Sequence, residues 1–278
     1  MKLATHFFEK HQVPAFFVCK STVLAAFSCG RSTCLVLESG ANTTYATPIH
    51  DGYALQPSMI KCDMGGNYLT GVVADTLAKM NINVAPKYAF TRKTVNGQII
   101  VDYQKYELTT PSYEAYCKQE VICEVKEALL TLLPDAPKAE HELPDGTKIN
   151  LDVEATRIPE LMFTGTSKEN SFIGVHKMIA EAIMRSDLDI RKELYANIVV
   201  AGGNTLIPGF VERVQQLVSE NSTAGGKTKV IAHMQGERQL SAWLGGSILS
   251  SLGSFQQMWM SQQEYKENGA NLIERKCA

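Results

Sequence analysis

The segment Asn197-Ile-Val-Val-Ala-Gly-Gly-Asn-Thr-Leu-Ile-Pro-Gly209 is the most informative stretch of this chain. Its apolar half predicts a buried strand, the glycine pair predicts a tight turn, and Pro208 predicts the first turn of a helix. Glycine lets the backbone approach a flat or anionic group closely. Many α/β folds need such a turn, so the neighbouring segments must make the pattern specific.

Composition limits the classes of function. The chain has 278 residues, 45% of them hydrophobic, which is enough for one large domain or two smaller ones. The net charge of −2 gives no basic field for direct nucleic-acid binding. The seven cysteines form no C-x-x-C pair, which favours reduced thiols and no metal site. With no signal peptide and no run long enough to span a membrane, we expect a soluble intracellular protein.

Local patterns outline the secondary structure. Strands are expected over Thr33–Leu37 and Thr43–Ile49, joined by the turn sequence Glu38–Asn42 as a hairpin. Apolar residues at helical spacing predict helices over Asn67–Met80 and Tyr113–Leu133. Strands and helices alternate, so the fold class is α/β.

Other segments give weaker patterns. The polar residues 81–112 are expected to be irregular, with a turn at Asn96-Gly97. The apolar density of the first 27 residues predicts a buried strand followed by a buried helix, Lys20–Phe27. Both tryptophans, Trp243 and Trp259, are expected to be core residues.

The C-terminal sequence resembles a known family. Phe255-Gln-Gln-Met-Trp-Met-Ser-Gln-Gln-Glu-Tyr265 and the ending Glu274-Arg-Lys-Cys277 are similar to the C-terminus of actin almost word for word. Nearly the whole chain resembles the actin family, which implies an actin-like α/β fold. Val13–Lys20 matches a strand from the middle of actin sequences. The resemblance therefore implies an incomplete fold that lacks the N-terminal part, the first phosphate loop and the small subdomain 2.

The resemblance also implies a division of the chain into subdomains. Residues 1–30 correspond to a remnant of subdomain 1, and residues 31–65 to subdomain 3 with the second phosphate loop. Residues 66–165 correspond to subdomain 4. Residues 166–238 return to subdomain 3, and 239–278 form the C-terminal part of subdomain 1.

Three groups that handle the attacking water in actins are replaced here. The helix glutamine of actins is matched by Ser21, the second acid of the phosphate loop by Ala41, and a histidine by Tyr45. Glu38 keeps a carboxylate that could hold a magnesium-bound water. Positioning and charge stabilisation carry most of phosphoryl-transfer catalysis, so the resemblance implies no catalytic residues and no hydrolysis.

The nucleoside side of the actin site is better preserved. This chain departs from the family at Asn67, Ile207 and Gln239, where actins carry Arg, Tyr and Lys. The resemblance implies that ATP is held as a structural ligand without turnover. The residues it assigns to nucleotide binding are Glu38, Ser39, Gly40, Gly66, Lys126, Glu127, Gly202, Gly203 and Asn204.

Each of these assignments has a plain alternative. Lys126 and Glu127 are equally consistent with an exposed pair on a helix. Gly202 and Gly203 could serve packing alone. Glu38 could simply flank a turn.

Several segments are most similar to the nuclear actin-related protein 4 subfamily, among them Pro14–Lys20, His50–Tyr53 and Leu252–Gln257. The resemblance implies a nuclear, non-polymerising subunit of chromatin-remodelling and histone-modifying complexes. Its implied partners are an actin monomer, a helical segment of the remodelling ATPase and other subunits, with chromatin contacted indirectly and no membrane.

Helix binding has a physical rationale in an apolar groove between subdomains. Leu249, Leu252, Phe255 and Met258 are its expected wall, and the alternative is that they belong to the core.

Three other functions remain open at this point. The chain could be an ATP-hydrolysing relative, a filament-forming actin, or a truncated product without function. Loss of the N-terminal part would expose large apolar side chains, so a truncated product is expected to aggregate or to depend on a partner.

Overall fold

The computed structural model describes residues 1–95, 98–136, 139–165, 172–221 and 227–277. Its centre is a mixed six-stranded sheet covered by helices on both faces. None of the helices in these ranges is both long and apolar enough to cross a membrane.

Twelve strands lie within these ranges, most of them short. They are β1 (Ala15–Phe16), β2 (Cys34–Ser39), β3 (Thr44–His50), β4 (Tyr53–Ala54), β5 (Ile60–Cys62), β6 (Phe90–Val95), β7 (Gln98–Tyr103), β8 (His141–Glu142), β9 (Lys148–Ile149), β10 (Ile198–Ala201), β11 (Val230–Ala232) and β12 (Met260–Ser261).

Helices connect and flank the strands in the described ranges. They are α1 (Lys2–Thr5), α2 (Ser21–Ser28), α3 (Gly66–Lys79), α4 (Pro111–Leu129), α5 (Glu154–Thr164), α6 (Val175–Met184), α7 (Leu188–Ala196), α8 (Phe210–Asn221), α9 (Gln235–Arg238), α10 (Ser241–Ser250), α11 (Phe255–Met258), α12 (Gln262–Asn268) and α13 (Leu272–Lys276). A π-helical turn covers His6–Lys10, and 3₁₀ turns cover Gln56–Ser58 and Gly203–Leu206.

The central sheet runs in the order β11-β10-β2-β3-β4, with β5 also paired to β3. β11, β10 and β2 are parallel, whereas β3, β4 and β5 are antiparallel to their neighbours. Alternate residues of β2 enter different cores, as expected for a strand buried on both faces. Leu35 and Leu37 face the larger core with α6 and α8, and Cys34 and Val36 face α2.

Several predicted elements are confirmed. β2 and β3 form the expected antiparallel hairpin around residues 40–43. α3 and α4 lie within one to four residues of their predicted bounds, and the cysteines are free thiols. The sheet combines strands from 31–65 and 166–238, while the subdomain boundaries themselves stay a prediction.

The expectation for residues 81–112 was wrong. β6 and β7 form an antiparallel ribbon there, paired from Phe90 with Tyr103 to Val95 with Gln98. The residues predicted to turn, Asn96-Gly97, lie outside the described part of the chain. The ribbon lies outside the central sheet, so polar residues such as Arg92 and Lys93 can stay exposed.

Three smaller expectations also need correction. Trp243 is 69% exposed on α10 and is not a core residue. Residues 2–10 are helical, and β1, of two residues, is the one strand before α2 in the described ranges. α8 begins at Phe210, because Gly209 adopts a φ of +85° and the chain after β10 first makes a 3₁₀ turn.

The two ends of the described chain pack together. α10 lies across α2 in the most extensive contact between two helices of the described ranges. β12 pairs with β1, with Ala15 opposite Ser261. Four buried residues from the two ends form a small core there: Ala4, Phe8, Met260 and Ile273.

Candidate functional site: a cavity at the strand ends

The site begins where β2 and β10 end side by side. The two strands are parallel and Ala201 lies opposite Glu38. Gly202 then adopts a φ of +95°, and a Cβ atom there would lie 2.2 Å from the carbonyl oxygen of Ser39. Only glycine tolerates both the backbone conformation and the contact. The 3₁₀ turn that follows is thereby held against the loop after β2.

The start of α3 is attached to the same loop. The Gly66 N–H donates to the Gly40 carbonyl at 2.9 Å, and the Asn67 N–H donates to the Ala41 carbonyl at 2.7 Å. A Cβ atom on Gly65 would lie 2.5 Å from the Gly40 oxygen. These contacts use backbone amides that a helix N-terminus would otherwise present to an anion.

A buried hydrogen-bond chain connects the elements. The Asn204 Nδ2 donates to Ser39 Oγ at 3.1 Å, and Thr44 Oγ1 donates to the Met64 carbonyl at 2.6 Å. The Thr44 proton is used there, so Ser39 Oγ is the donor in the 2.9 Å bond to Thr44. Ser39 is fully buried and lies behind the cavity instead of lining it.

A cavity of about 370 Å³ lies in front of this chain. Six residues predicted from sequence line it, together with four positions where the chain departs from the family pattern, Ala41, Asn67, Ile207 and Gln239. Its lining is Gly40, Ala41, Gly66, Asn67, Cys123, Lys126, Glu127, Gly203, Asn204, Leu206, Ile207 and Gln239.

Two lining residues assigned no role from the sequence deserve mention, Cys123 and Leu206. Cys123 lies one turn before Lys126 on α4, so the helical spacing could have identified it. Glu38, Ser39 and Gly202 were predicted in the site but shape it from outside the lining.

The floor of the cavity carries two polar groups with unused capacity. A Cβ atom on Gly66 would lie 3.3 Å from Lys126 Nζ and 3.5 Å from Asn204 Oδ1. Asn204 is 7% exposed and its Oδ1 has no hydrogen-bond partner. Lys126 makes no ion pair with any described residue. A buried acceptor without a partner costs free energy that a ligand donor would recover, so the residues present fit a polar ligand such as a nucleotide.

Glu38 is engaged elsewhere. Ser21 Oγ donates to Glu38 Oε2 at 2.6 Å. Burial raises the pKa of the Glu38 carboxyl, and the Ser21 hydrogen bond partly opposes that rise. Within the described ranges, no cluster of three or more histidine, cysteine or acidic side chains could hold a metal ion.

The predicted groove residues occupy different environments. Leu249 is buried, whereas Leu252 is 43% exposed. The Phe255 ring lies edge-on to Phe17 with centroids 5.3 Å apart, and Met258 is half-buried. Of the four, Leu252 is the side chain best exposed for a partner to contact.

Comparison with known proteins agrees with this architecture. The Actin family model matches residues 1–278. Proteins named actin-related protein 4 are 37% identical to this chain, over 99% of its length, in Arabidopsis thaliana and in Oryza sativa subsp. indica. The matched region covers 68% and 67% of those two proteins. The chain therefore belongs to the actin family.

Proposed function

We propose that this chain is a non-hydrolysing actin-related subunit of nuclear chromatin-remodelling and histone-modifying complexes, with ATP as a structural ligand. The observation that carries nucleotide binding is the cavity floor, where Lys126 Nζ and the unpaired Asn204 Oδ1 both approach Gly66. An ammonium group suits a phosphate or ribose oxygen, and the amide oxygen suits a ribose hydroxyl or an amino group.

Absence of hydrolysis is supported by the neighbours of Glu38. Its carboxylate accepts the Ser21 hydrogen bond, and Ala41 carries no acid at the adjoining loop. Tyr45 lies opposite Glu38 on β3. An attacking water must be oriented by a positioned acceptor or amide. Among these residues only Glu38 carries such an acceptor, and it is already hydrogen-bonded to Ser21.

Nuclear assembly is supported by sequence likeness. The 37% identity to proteins named actin-related protein 4 extends over 99% of the chain. The expected partners are an actin monomer and a helical segment of a remodelling ATPase, with other subunits around them and chromatin contacted indirectly. Leu252 presents apolar surface to such a helix.

The nucleotide part is tested by equilibrium dialysis with radiolabelled ATP and by a steady-state phosphate-release assay. Lys126→Met should weaken ATP binding roughly tenfold or more, about 1.4 kcal/mol. Lys118→Met is the matched control, because Lys118 lies on the same helix in an exposed pair with Glu114. Equal binding by both variants would contradict the site, and sustained phosphate release would contradict the non-hydrolysing role.

The assembly part is tested by pull-down of the tagged chain from nuclear extract, read by mass spectrometry. We expect actin and a remodelling ATPase to be recovered together. Leu252→Asp should reduce their recovery, whereas Leu108→Asp, at a position 98% exposed and distant in sequence, should not. Recovery of chaperones alone would mean that the proposal is wrong.

A further inference from the structure

The thiol of Cys123 has no role in the proposed nucleotide binding. Its side chain lines the cavity, one helical turn before Lys126. The thiol donates a hydrogen bond to Glu127 Oε1, with a sulfur–oxygen distance of 3.4 Å. This geometry places a proton acceptor beside a nucleophile that lines a cavity.

The same cavity offers complementary groups for a small ligand. Lys126 lies beside both Cys123 and Gly66, so its ammonium can donate to a carbonyl oxygen placed near the thiol. Asn204 is more than nine-tenths buried, and its Oδ1 lacks a donor. An amide fits both groups, because its carbonyl oxygen accepts and its N–H donates.

We propose that Cys123 is a site of covalent modification by small α,β-unsaturated amides that bind in the cavity. The carbonyl oxygen is held by the Lys126 ammonium, and the amide N–H is directed to Asn204 Oδ1. The β-carbon is then presented to the Cys123 sulfur.

The addition is balanced without any further reagent. The thiol proton passes to Glu127, and the sulfur forms a bond to the β-carbon. The carbon–carbon π electrons move toward the carbonyl, where Lys126 stabilises the enolate oxygen. Glu127 then returns the proton to the α-carbon. One S–H bond and one π bond are lost, and one C–S bond and one C–H bond are formed.

Bound electrophiles are favoured over free ones at this thiol. Burial raises the pKa of Cys123 and the Glu127 contact raises it further, while Lys126 opposes them. Little thiolate is therefore present at neutral pH, and reaction depends on the local base and on a held substrate. Cys34, by contrast, is fully buried in the core under α2, and burial raises its pKa to about 12.

The test is alkylation of the native 278-residue chain by acrylamide, followed by peptide mapping. Cys117 is an internal control, because it lies on the same helix, is half-buried, and is outside the cavity lining. The ratio of the two rates cancels the intrinsic reactivity of the reagent. We expect Cys123 to react roughly tenfold faster than Cys117.

Two variants separate the mechanism from simple accessibility. Lys126→Met should lower the Cys123 rate about tenfold without changing the Cys117 rate. Glu127→Gln should make the Cys123 rate rise with pH as an unassisted thiol does. Equal rates at the two cysteines, or a Cys123 rate unaffected by Lys126→Met, would overturn the proposal.

Methyl acrylate provides a second measurement that does not depend on a variant folding. It has the same conjugated carbonyl but no N–H donor. The ratio of Cys123 to Cys117 rates should fall for this reagent, and an unchanged ratio would exclude the role of Asn204. Whether ATP protects Cys123 from alkylation tests the proposed nucleotide binding and not the proposed modification. The two proposals can therefore fail independently.

Discussion

At the residue scale, two glutamates have pKa values shifted in opposite directions. Burial raises the pKa of Glu38, with partial relief from Ser21. The pKa of Glu264 is lowered to about 2, chiefly by the hydrogen bond from Lys276 and also by the backbone N–H of Ser261. Relative to the unfolded chain, folding therefore favours the charged form of Glu264 and disfavours the charged form of Glu38.

The two residues should affect the pH dependence of stability with opposite signs. Glu38 has its raised pKa in the folded state, so its relative stabilisation is present at acid pH and is lost as the pH rises through that pKa. The stability of Glu38→Gln relative to the wild type should therefore increase with pH. Glu264 stabilises the folded state when the pH is above 4.5, the ordinary pKa of a glutamate. This contribution is lost as the pH falls toward the folded-state pKa of about 2.

Urea unfolding of the wild type, Glu38→Gln and Glu264→Gln at several pH values measures both effects. The disadvantage of Glu264→Gln should be greatest near neutral pH and should disappear in acid. A pH dependence of the same sign for the two variants would contradict the assigned environments.

Gly202 is the residue on which the cavity geometry depends most strictly. Gly202→Ala would place a side chain at a φ of +95° and 2.2 Å from the Ser39 oxygen. We expect a loss of about 2–5 kcal/mol in unfolding free energy. Gly71→Ala is the control, since Gly71 lies inside α3 with nothing within 4 Å of a Cβ atom. It should stabilise by about 0.5–1 kcal/mol, and chemical denaturation measures both changes.

At the element scale, the contact between α2 and α10 depends on one of two adjacent glycines. A Cβ atom on Gly245 would lie 1.8 Å from the Leu24 carbonyl oxygen. A Cβ atom on Gly246 would contact only Leu24 Cδ1, at 3.7 Å. The first glycine sets how closely the helices approach, and the second only borders the contact.

Substituting the two glycines should therefore have unequal effects. Gly245→Ala must separate the helices and should cost about 1–3 kcal/mol or more. Gly246→Ala makes an ordinary contact and gains helix propensity, so it should be neutral or stabilising by up to about 1 kcal/mol. Thermal unfolding of both variants provides the comparison, and similar losses would mean that the helices do not pack at Gly245.

The same elements show what the sequence could predict. The β2–β3 hairpin was predictable because apolar strands flank a turn sequence, and the glycine turn after β10 was predictable because no other residue fits there. The β6–β7 ribbon was missed because it lies outside the central sheet and carries polar residues. The engagement of Glu38 by Ser21 depends on a contact between α2 and β2, which no local pattern encodes.

At the scale of the whole molecule, α10 and the residues beside it carry exposed apolar side chains. Leu240, Trp243, Ile248 and Leu252 are all at least 43% exposed. Large exposed apolar side chains promote association. The expectation that Trp243 belongs to the core is wrong within these 278 residues, and its surface is free to contact other molecules.

Trp243→Ser should reduce self-association without lowering the melting temperature. The indole contributes little to the core, so its loss removes apolar surface at small cost in stability. Sedimentation velocity at several concentrations measures association, and Tyr53→Ser is the control, because Tyr53 is equally exposed at 68% and lies on β4. Unchanged self-association of Trp243→Ser would mean that Trp243 does not belong to the surface through which the protein associates.

The pairing of the two chain ends has a consequence during synthesis on the ribosome. Val18 donates a hydrogen bond to Cys277 Sγ, 259 residues later in the chain. At about 5–20 residues per second, the early segment waits roughly 10–50 s for that partner. α2 and β1 therefore leave the exit tunnel long before α10 and β12 exist. During that interval their apolar side chains lack the partners that cover them in the native fold, and such exposed surface is prone to aggregation.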